Sequence, residues 1–226
     1  MQGAWTVNRY PFKAVIFDMD GVIVDSETFY QEEMRAFGND IGVEVSDSEL
    51  NGLVGASHKV FVAALISWLE KAGEGVLSGD EAMERFHTWE QDYPYDYRSL
   101  LNPGVRETIS TLKERGVRVA LASSTRPTGI REVLEACDLM DAFEVIVSGE
   151  QFRESKPNPE IYLHTLGLLG LPAQECCCVE DSAYGITAGK RAGLTVFAKR
   201  EERFGFSQAE ADLVIDTISD LLQFVG

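Results

Sequence analysis

Six short apolar runs lie along the chain, and each of them predicts a β-strand. A continuous apolar run is typical of a strand in a parallel sheet, because such a strand is buried on both faces. The runs are residues 13–18, 117–122, 143–147, 176–179, 194–198 and 213–215. The last run is the shortest, and we expect a closing helix after it.

The segments between these runs carry apolar residues at helical spacing. They predict helices over residues 105–115, 126–136, 159–169 and 182–192. Gly116 ends the first of these helices, and Asn158 caps the third, with Pro159 at its first position. Strands that alternate with helices predict an α/β fold with a doubly wound, Rossmann-like parallel sheet. Ligands of such sheets bind beyond the carboxyl ends of the strands.

One long segment, residues 26–97, has no strand signal. Glycines punctuate it, and its apolar residues recur at helical spacing. The clearest run comprises Val60, Phe61, Ala64, Leu65, Trp68 and Leu69. We therefore expect an all-helical domain inserted after the first strand, with residues 1–25 and 98–226 forming the α/β core.

Composition and charge restrict the classes of partner. Of the 226 residues, 45% are hydrophobic and 25% are charged, which is typical of a globular protein and not of a disordered chain. The formal net charge is −17 and no basic run is present, so neither nucleic acid nor an anionic membrane surface is an expected partner. No stretch reaches the roughly 18 apolar residues that a bilayer-spanning helix needs.

The amino-terminal segment and the cysteines bear on the compartment. Residues 1–11 have neither a basic start nor an apolar core, so no secretory signal peptide is predicted. Three of the four cysteines are consecutive: Cys176, Cys177 and Cys178. Neighbours on a strand point to opposite faces, so these three cannot chelate a metal as a Cys-x-x-Cys pair does. We expect reduced core thiols in a cytoplasmic protein.

Polar residues follow the predicted strands at their carboxyl ends. Carboxylates follow the first and fourth strands, hydroxyls follow the second, and a lysine lies after the third. These residues are Asp18, Asp20, Ser123, Ser124, Thr125, Lys156, Glu180 and Asp181. Clustered carboxylates repel one another unless a cation lies among them, and ligands that are all oxygen suit Mg²⁺. Such a metal would also neutralise an anionic substrate, which this acidic chain otherwise repels.

This set of groups suits phosphoryl transfer, which mainly requires positioning and charge neutralisation. A carboxylate can attack phosphorus to form an aspartyl-phosphate. A second carboxyl can protonate the leaving oxygen and later take a proton from water. A lysine, hydroxyls and backbone N–H groups can hold the phosphate oxygens.

Four segments resemble the sequence motifs of the haloacid dehalogenase-like hydrolases. They are FDMDGVIVDS at 17–26, LASS at 121–124, SKPNP at 155–159 and VEDSAYGI at 179–186. One Asp-x-Asp-Gly would be a weak indication, but these four motifs occur in family order, each near a predicted strand end. The resemblance spans roughly residues 13–199. The first and fourth motifs are similar to those of the β-phosphoglucomutase branch.

The resemblance implies roles for the residues of the first motif. Asp18 would be the nucleophile and also a metal ligand. Asp20 would be the general acid/base, and its backbone carbonyl would bind the metal. Asp20 favours phosphate esters over halides as substrates, because a halide leaves without a proton.

The other motifs would hold the phosphate and the metal. Ser123 and the backbone of Ser124 would bind the transferring phosphate, and Lys156 would bridge the phosphate and the nucleophile. Asp181 would be a metal ligand, and Glu180 would be a further ligand or a carboxylate behind the ligands. The helical domain would be a mobile cap whose closure excludes water and selects the leaving group.

Candidate substrate contacts lie outside these motifs. His58 occupies a loop that relatives point at the substrate, and Tyr30 lies near the entry to the cap. Thr125 and Arg126 could hold a distal phosphate from the core side. His87, like His164, falls in a helical stretch, which predicts a structural or exposed side chain.

Three functions remain as alternatives. β-Phosphoglucomutase holds a second phosphate with a lysine before a cap-loop glycine and an arginine three residues after it. The matching positions here are Val54 and His58, and the cap histidine of the mutase is matched by Tyr30. We therefore expect a phosphatase that acts on a small phosphorylated metabolite such as a sugar or polyol monophosphate. A sugar phosphomutase is the alternative within the family, and a non-catalytic regulator that binds a phosphometabolite is the alternative from another class. The sequence does not indicate an oligomeric state.

Overall fold

A computed structural model describes residues 10–56, 58–91 and 96–225. Its centre is a six-stranded sheet in which every neighbouring pair is parallel, with strand order β3-β2-β1-β4-β5-β6. The strands are β1 Ala14–Phe17, β2 Arg118–Ser123, β3 Val145–Ser148, β4 Cys176–Glu180, β5 Thr195–Lys199 and β6 Leu213–Ile215. This order confirms the predicted doubly wound α/β fold.

Helices cover both faces of the sheet because alternate residues of each strand point to opposite sides. The helices of the core are α5 Val105–Glu114, α6 Pro127–Ala136, α7 Glu160–Leu169 and α8 Ala183–Arg191. On β1, Val15 and Phe17 join the apolar cluster beneath α5 and α6, whereas Ala14 and Ile16 join the cluster beneath α7 and α8. A strand buried on both faces explains why the predicted runs are continuously apolar.

The three consecutive cysteines show the same alternation. Cys177 faces one apolar cluster, whereas Cys176 and Cys178 face the other. All four cysteines lie in the described part of the chain as buried free thiols. Burial raises the pKa of the Cys177 and Cys178 thiols well above the ordinary value, so both stay protonated and unreactive.

Within the described part of residues 18–104, four helices lie between β1 and α5, and we call them the helical block. They are α1 Glu27–Asp40, α2 Asp47–Asn51, α3 His58–Lys71 and α4 Gly79–Glu90. Their apolar faces form a separate cluster around Phe37, Trp68 and Phe86. Capping boxes start α2 at Ser46 and α4 at Ser78, where each serine accepts a backbone N–H that the helix itself leaves unpaired. Within the described residues, no helix has the length and apolar character required to cross a bilayer.

The core strands and helices begin and end within two residues of the bounds expected from the sequence. The helix expected to begin at Pro159 begins at Glu160, although Asn158 Oδ1 still accepts its N–H at 2.9 Å as a cap does. The closing helix is a 3-10 helix, Ile218–Gln223, which begins with a capping box at Thr217.

The strand order places β1 at the centre of the sheet, between β2 and β4. The chain order reverses there, and the crevice that results is the usual ligand position in this fold. Phe17 is in register with Leu121 on one side and Val179 on the other. The residues that follow these positions therefore emerge side by side at one edge of the sheet.

Candidate active site

Three carboxylates meet where β1 and β4 end. Asp18, Glu180 and Asp181 each offer an oxygen within 4.8 Å of the others, and all three residues are buried. Glu180 Oε2 and both carboxylate oxygens of Asp181 have no hydrogen-bond partner among the described residues. Buried carboxylates without partners are costly, and an oxygen-only donor set fits a hard divalent cation such as Mg²⁺.

The electrostatics of this cluster point the same way. Burial, and then the charges of Glu27 and Asp18, raise the pKa of Asp181 well above its usual range. Burial and the charge of Asp18 likewise raise the pKa of Glu180 to about 8, against the opposing effect of Lys156. Like charges packed this closely favour a cation or a proton between them.

Gly21 explains why a glycine follows the two aspartates of the first motif. Its φ is +75°, a conformation that L-residues rarely adopt. A Cβ atom at this position would lie 1.9 Å from Asp181 Oδ2. The loop after β1 can therefore approach the loop after β4 only if this residue has no side chain.

Lys156 binds the cluster from the third strand-end loop. Its Nζ donates to Asp18 Oδ1 at 2.9 Å, to Glu180 Oε1 at 2.7 Å and to the carbonyl of Ala122 at 3.0 Å. Burial alone would lower the pKa of Lys156, but the charges of Asp18 and Glu180 outweigh it and hold the pKa above the usual lysine value. Lys156 is thus a fixed cation beside the Asp18 carboxylate.

Asp20 is held at both carboxylate oxygens. Ser26 Oγ donates to Oδ1 at 2.6 Å, and Thr125 Oγ1 donates to Oδ2 at 2.7 Å. Burial raises the pKa of Asp20, and the Asp18 charge adds to this, although the two hydroxyl hydrogen bonds oppose it. A carboxyl with a raised pKa and a fixed orientation suits proton donation.

The two serines of the second motif lie at the end of β2. Ser123 is fully buried, and its Oγ accepts the backbone N–H of Thr125 at 3.0 Å. Ser124 lines the adjacent cavity, and its hydroxyl lies 3.1 Å from that of Ser155. Ser124 therefore faces the same space as Asp18 and Lys156, whereas Ser123 is not among the described residues that line the cavity.

A cavity of about 240 Å³ separates these core groups from the helical block. Its core wall includes Asp18, Asp20 and Lys156. Its other wall comes from the helical block and includes Tyr30 and His58, both candidate substrate contacts from the sequence. The remaining two candidates, Thr125 and Arg126, also line it.

Two of these candidates already have partners. Thr125 uses its hydroxyl on Asp20, and Arg126 Nη1 lies 2.9 Å from His87 Nε2 in the helical block. His87 Nδ1 in turn lies 2.6 Å from Glu90 Oε2. His87 thus makes a structural contact between the helical block and the core, and it also lines the cavity, which the helical pattern alone did not indicate. His164 is exposed on α7, as predicted.

Sequence reasoning missed acidic residues on α1. Glu27 is buried and accepts the backbone N–H of Gly55, and burial with the charges of Asp20 and Asp18 raises its pKa to about 8. Glu33 is also buried and lines the cavity. Together with Tyr30 they recur at helical spacing on one face of α1, a signal that the sequence contains.

Tyr162 is a second missed residue. It lies on α7, is fully buried, and its hydroxyl donates to Glu180 Oε1. Its ring also lies 5.2 Å from Lys156 Nζ. Nothing in the local pattern of α7 distinguishes it from an ordinary apolar core residue.

Several known proteins of similar sequence are named for activity on phosphorylated sugars or polyols. A phosphorylated carbohydrates phosphatase of Thermotoga maritima is 34% identical over 184 residues, covering 80% of this chain and 82% of its own. Hexitol phosphatase B of Escherichia coli K12 is 31% identical over 217 residues, covering 92% and 96%. β-Phosphoglucomutase of Bacillus subtilis is 28% identical over 213 residues, covering 92% and 91%.

Solved structures show the same fold. A β-phosphoglucomutase of Clostridium difficile superimposes with a TM-score of 0.73 over 93% of each chain, at 22% identity. The family model of the haloacid dehalogenase-like hydrolases matches residues 12–193. Because this match covers most of the chain, the protein belongs to the haloacid dehalogenase-like hydrolase family.

Proposed function

We propose that the protein is a Mg²⁺-dependent phosphatase that hydrolyses a small sugar or polyol phosphate through an aspartyl-phosphate on Asp18. The observation that carries this proposal is the pair formed by Asp18 and Asp20. Asp18 is bound to Lys156 within the carboxylate cluster, whereas Asp20 is held by two hydroxyls beside it. One carboxylate is thus placed for attack and the other for proton transfer.

The residues divide the reaction between them. An Asp18 oxygen forms a bond to phosphorus as the ester oxygen leaves, and Asp20 gives its proton to that oxygen. Asp20 then takes a proton from the water that cleaves the aspartyl-phosphate, which releases phosphate and restores Asp18. Lys156 balances the charge of Asp18, and Ser123 and the backbone of Ser124, at the end of β2, bind phosphate oxygens.

The metal would be held by Asp18, Asp181 and the backbone carbonyl of Asp20, with Glu180 beside them. When bound, Mg²⁺ would neutralise phosphate charge and lower the repulsion among these carboxylates. The unpartnered oxygens of Glu180 and Asp181 support this assignment.

The helical block, with its linkers at residues 26–97, would act as the cap over a core of residues 1–25 and 98–226. Its separate apolar cluster supports independent movement as a unit. Closure over the cavity would exclude water from the nucleophile and admit only a small leaving group. Four free thiols suit a cytoplasmic location.

The charge of the cavity favours a leaving group without a second anion. The helical block contributes the carboxyl groups of Glu27, Glu33 and Glu90 to its wall. Among the described lining residues, the only lysine and arginine are Lys156 and Arg126, and both are bound to other side chains. A neutral, hydroxyl-bearing leaving group fits such a wall better than a carboxylate or a second phosphate.

Hydrolysis is favoured over mutase activity for the same reason. A mutase must hold a second phosphate, but the positions that resemble its cap cations are Val54, which is buried, and His58. The remaining cation, Arg126, contacts His87.

A screen of phosphate esters with Mg²⁺ tests the proposal. It should include a hexitol phosphate, an aryl phosphate, phosphoglycolate, and β-glucose 1-phosphate with a bisphosphate activator. We expect free phosphate, with the hexitol phosphate preferred over phosphoglycolate. Formation of glucose 6-phosphate would identify a mutase, and tight binding of a phosphometabolite without any turnover would identify a regulator.

A further inference from the structure

Arg203 lies outside the cavity, in the segment between β5 and β6, and joins two carboxylates. Its Nη2 donates to Asp25 Oδ1 at 2.7 Å and its Nη1 to Asp25 Oδ2 at 3.1 Å. Its Nε donates to Glu201 at 2.9 Å and 3.0 Å, and Nη2 adds a bond at 2.5 Å. Paired, parallel bonds of this kind fix orientation as well as distance.

The same guanidinium also reaches the first turn of α1. Nη1 of Arg203 donates to Thr28 Oγ1 at 3.1 Å, so Arg203 binds both Asp25 and Thr28. The two residues between them, Ser26 and Glu27, are buried and turned toward the site. Arg203 therefore holds both ends of a tetrapeptide whose middle residues face the catalytic carboxyls.

The bonds from Arg203 to Asp25 and Thr28 matter because Ser26 lies between these two residues. Ser26 occupies the N-cap position of α1, yet its side chain accepts no backbone N–H of the helix. Its hydroxyl instead donates to Asp20 Oδ1 at 2.6 Å. A capping serine is normally positioned by its own helix. The Ser26 carbonyl accepts the N–H of Tyr30 at 2.8 Å, but no helix N–H holds the Ser26 hydroxyl, so the direction of that hydroxyl depends on how the linker before α1 sets the residue.

Glu201, which accepts hydrogen bonds from Arg203, is itself connected to the loop after β4. Glu201 is buried, and its backbone N–H donates to Gln208 Oε1 at 3.1 Å. Gln208 Nε2 donates to the carbonyl of Asp181 at 2.6 Å. Arg203 thus ties the linker after β1 to a loop that is fixed relative to the carboxylate cluster.

We infer that Arg203 is a positioning residue: it fixes Ser26 so that Asp20 faces the leaving oxygen of the substrate. The inference rests on the proposed acid role of Asp20. Arg203 is not among the described residues that line the cavity, so it acts through the residues that it binds, and the Asp25–Thr28 tetrapeptide is its path to Asp20. Its loss should impair proton donation to the leaving group more than attack on phosphorus.

The test uses the full chain with saturating Mg²⁺ and two substrates, a hexitol phosphate with a poor leaving group and an aryl phosphate with a good one. We expect Arg203→Met to lower kcat for the hexitol phosphate about tenfold or more, and kcat for the aryl phosphate by less than about threefold, because only the poor leaving group needs protonation. Arg203→Lys keeps the charge but loses the paired hydrogen bonds of the guanidinium. Its kcat should therefore fall more for the hexitol phosphate than for the aryl phosphate, but by a smaller factor than in Arg203→Met. Equal losses on both substrates, or none, in these variants would overturn the inference.

Arg200→Met is the matched control. Arg200 lies on the same segment and bonds to Asp216 at 2.7 Å and to Glu202 at 3.5 Å; all three residues are exposed, and neither bond involves Asp25. We expect the ratio of its kcat values for the hexitol phosphate and the aryl phosphate to equal that of the unmodified protein. If Arg203→Met does not fold, Arg203→Lys alone decides the outcome.

Asp20→Ala separates this inference from the proposed function. If Asp20→Ala is selective for the poor leaving group but the Arg203 variants are not, the inference fails and the proposed function stands. If Asp20→Ala lowers kcat equally for both substrates, the acid role of Asp20 is wrong, and the inference about Arg203 is wrong with it.

Discussion

Arg126 Nη1, on the core, and His87 Nε2, on the helical block, lie 2.9 Å apart across the cavity. A guanidinium can only donate, so His87 accepts at Nε2 and carries its proton on Nδ1, which donates to Glu90 at 2.6 Å. Arg126 directly follows Thr125, which holds Asp20. The contact therefore joins the helical block to the loop that supports the proposed acid.

Replacing His87 should release Arg126 into the cavity. We expect His87→Ala to bind a sugar bisphosphate about tenfold more tightly, measured as competitive inhibition, because a charge-assisted bond becomes available to the second phosphate. Thr88→Ala, on the exposed side of the same helix, is the control and should leave inhibition unchanged. Unchanged inhibition of His87→Ala would show that Arg126 does not face the leaving group.

Asp18→Asn should abolish turnover, because an amide does not attack phosphorus. We expect kcat to fall by more than about a thousandfold, as for other nucleophile replacements. Phosphate release measures the loss, and circular dichroism checks that the variant folds. A variant that keeps most of its activity would disprove the assignment of the nucleophile.

Gly21→Ala should weaken Mg²⁺ binding, in addition to the backbone strain that any side chain at this position causes. A left-handed L-residue costs about 1–2 kcal/mol, and here a Cβ would also meet Asp181 Oδ2 at 1.9 Å. Gly42→Ala is the matched control, since its φ is +76° and nothing lies within 4 Å of the new atom. We expect only Gly21→Ala to raise the Mg²⁺ concentration for half-maximal activity. Similar Mg²⁺ requirements in both variants would contradict the close packing of the two loops.

Mg²⁺ should stabilise the folded chain as well as activate it. We expect EDTA to abolish activity, and Mg²⁺ to restore activity and raise Tm, because a ligand that binds only the folded state stabilises it. Asp181→Asn should raise Tm without metal, since it removes one repelling charge, and should abolish the increase with Mg²⁺. Asp80→Asn makes the same charge change at an exposed position and should keep that increase. A Tm that does not change when Mg²⁺ is added would contradict the assignment of a metal to this site.

The Asp25–Arg203 pair predicts a dependence of stability on pH. Hydrogen bonds from Arg203 lower the pKa of Asp25 below its ordinary value. The stabilisation is therefore present above the unfolded pKa, about 3.9, and is lost as the pH falls through the folded pKa. Urea unfolding from pH 6 to pH 3 should show a smaller loss of unfolding free energy for Arg203→Met than for the unmodified protein. Equal losses of unfolding free energy in the two proteins would show that the Asp25–Arg203 pair does not stabilise the fold.

Much of the fold follows from local patterns. The runs at residues 13–18 and 176–179 form β1 and β4 because their alternate residues fill two apolar clusters. The strand-end positions of Asp18 and Asp181 follow from the same runs, and their meeting follows from parallel pairing. The sequence motifs also identified Lys156, whose bond to Asp18 is formed as the resemblance implies.

The contacts of the helical block could not be read in this way. His87 lies on a helix whose spacing suits a solvated residue, and its partner Arg126 is 39 positions away. Glu27 lies directly after the first motif, but its burial depends on Gly55 in another loop of the block. A local pattern records which face of a helix is apolar, and it does not record which polar residues another element will cover.

The sequence by itself determined the order of strands and helices, the edge of the sheet that carries the chemistry, and the family, because hydrophobic periodicity and motif order are properties of neighbouring residues. Only the tertiary structure decided that Arg126 is bound by His87, that Tyr162 supports Glu180, and that Arg203 reaches Asp25 across 178 positions. These contacts depend on how separate elements pack. The free energy of burying a charge with its partner is set by atoms that adjoin only after folding.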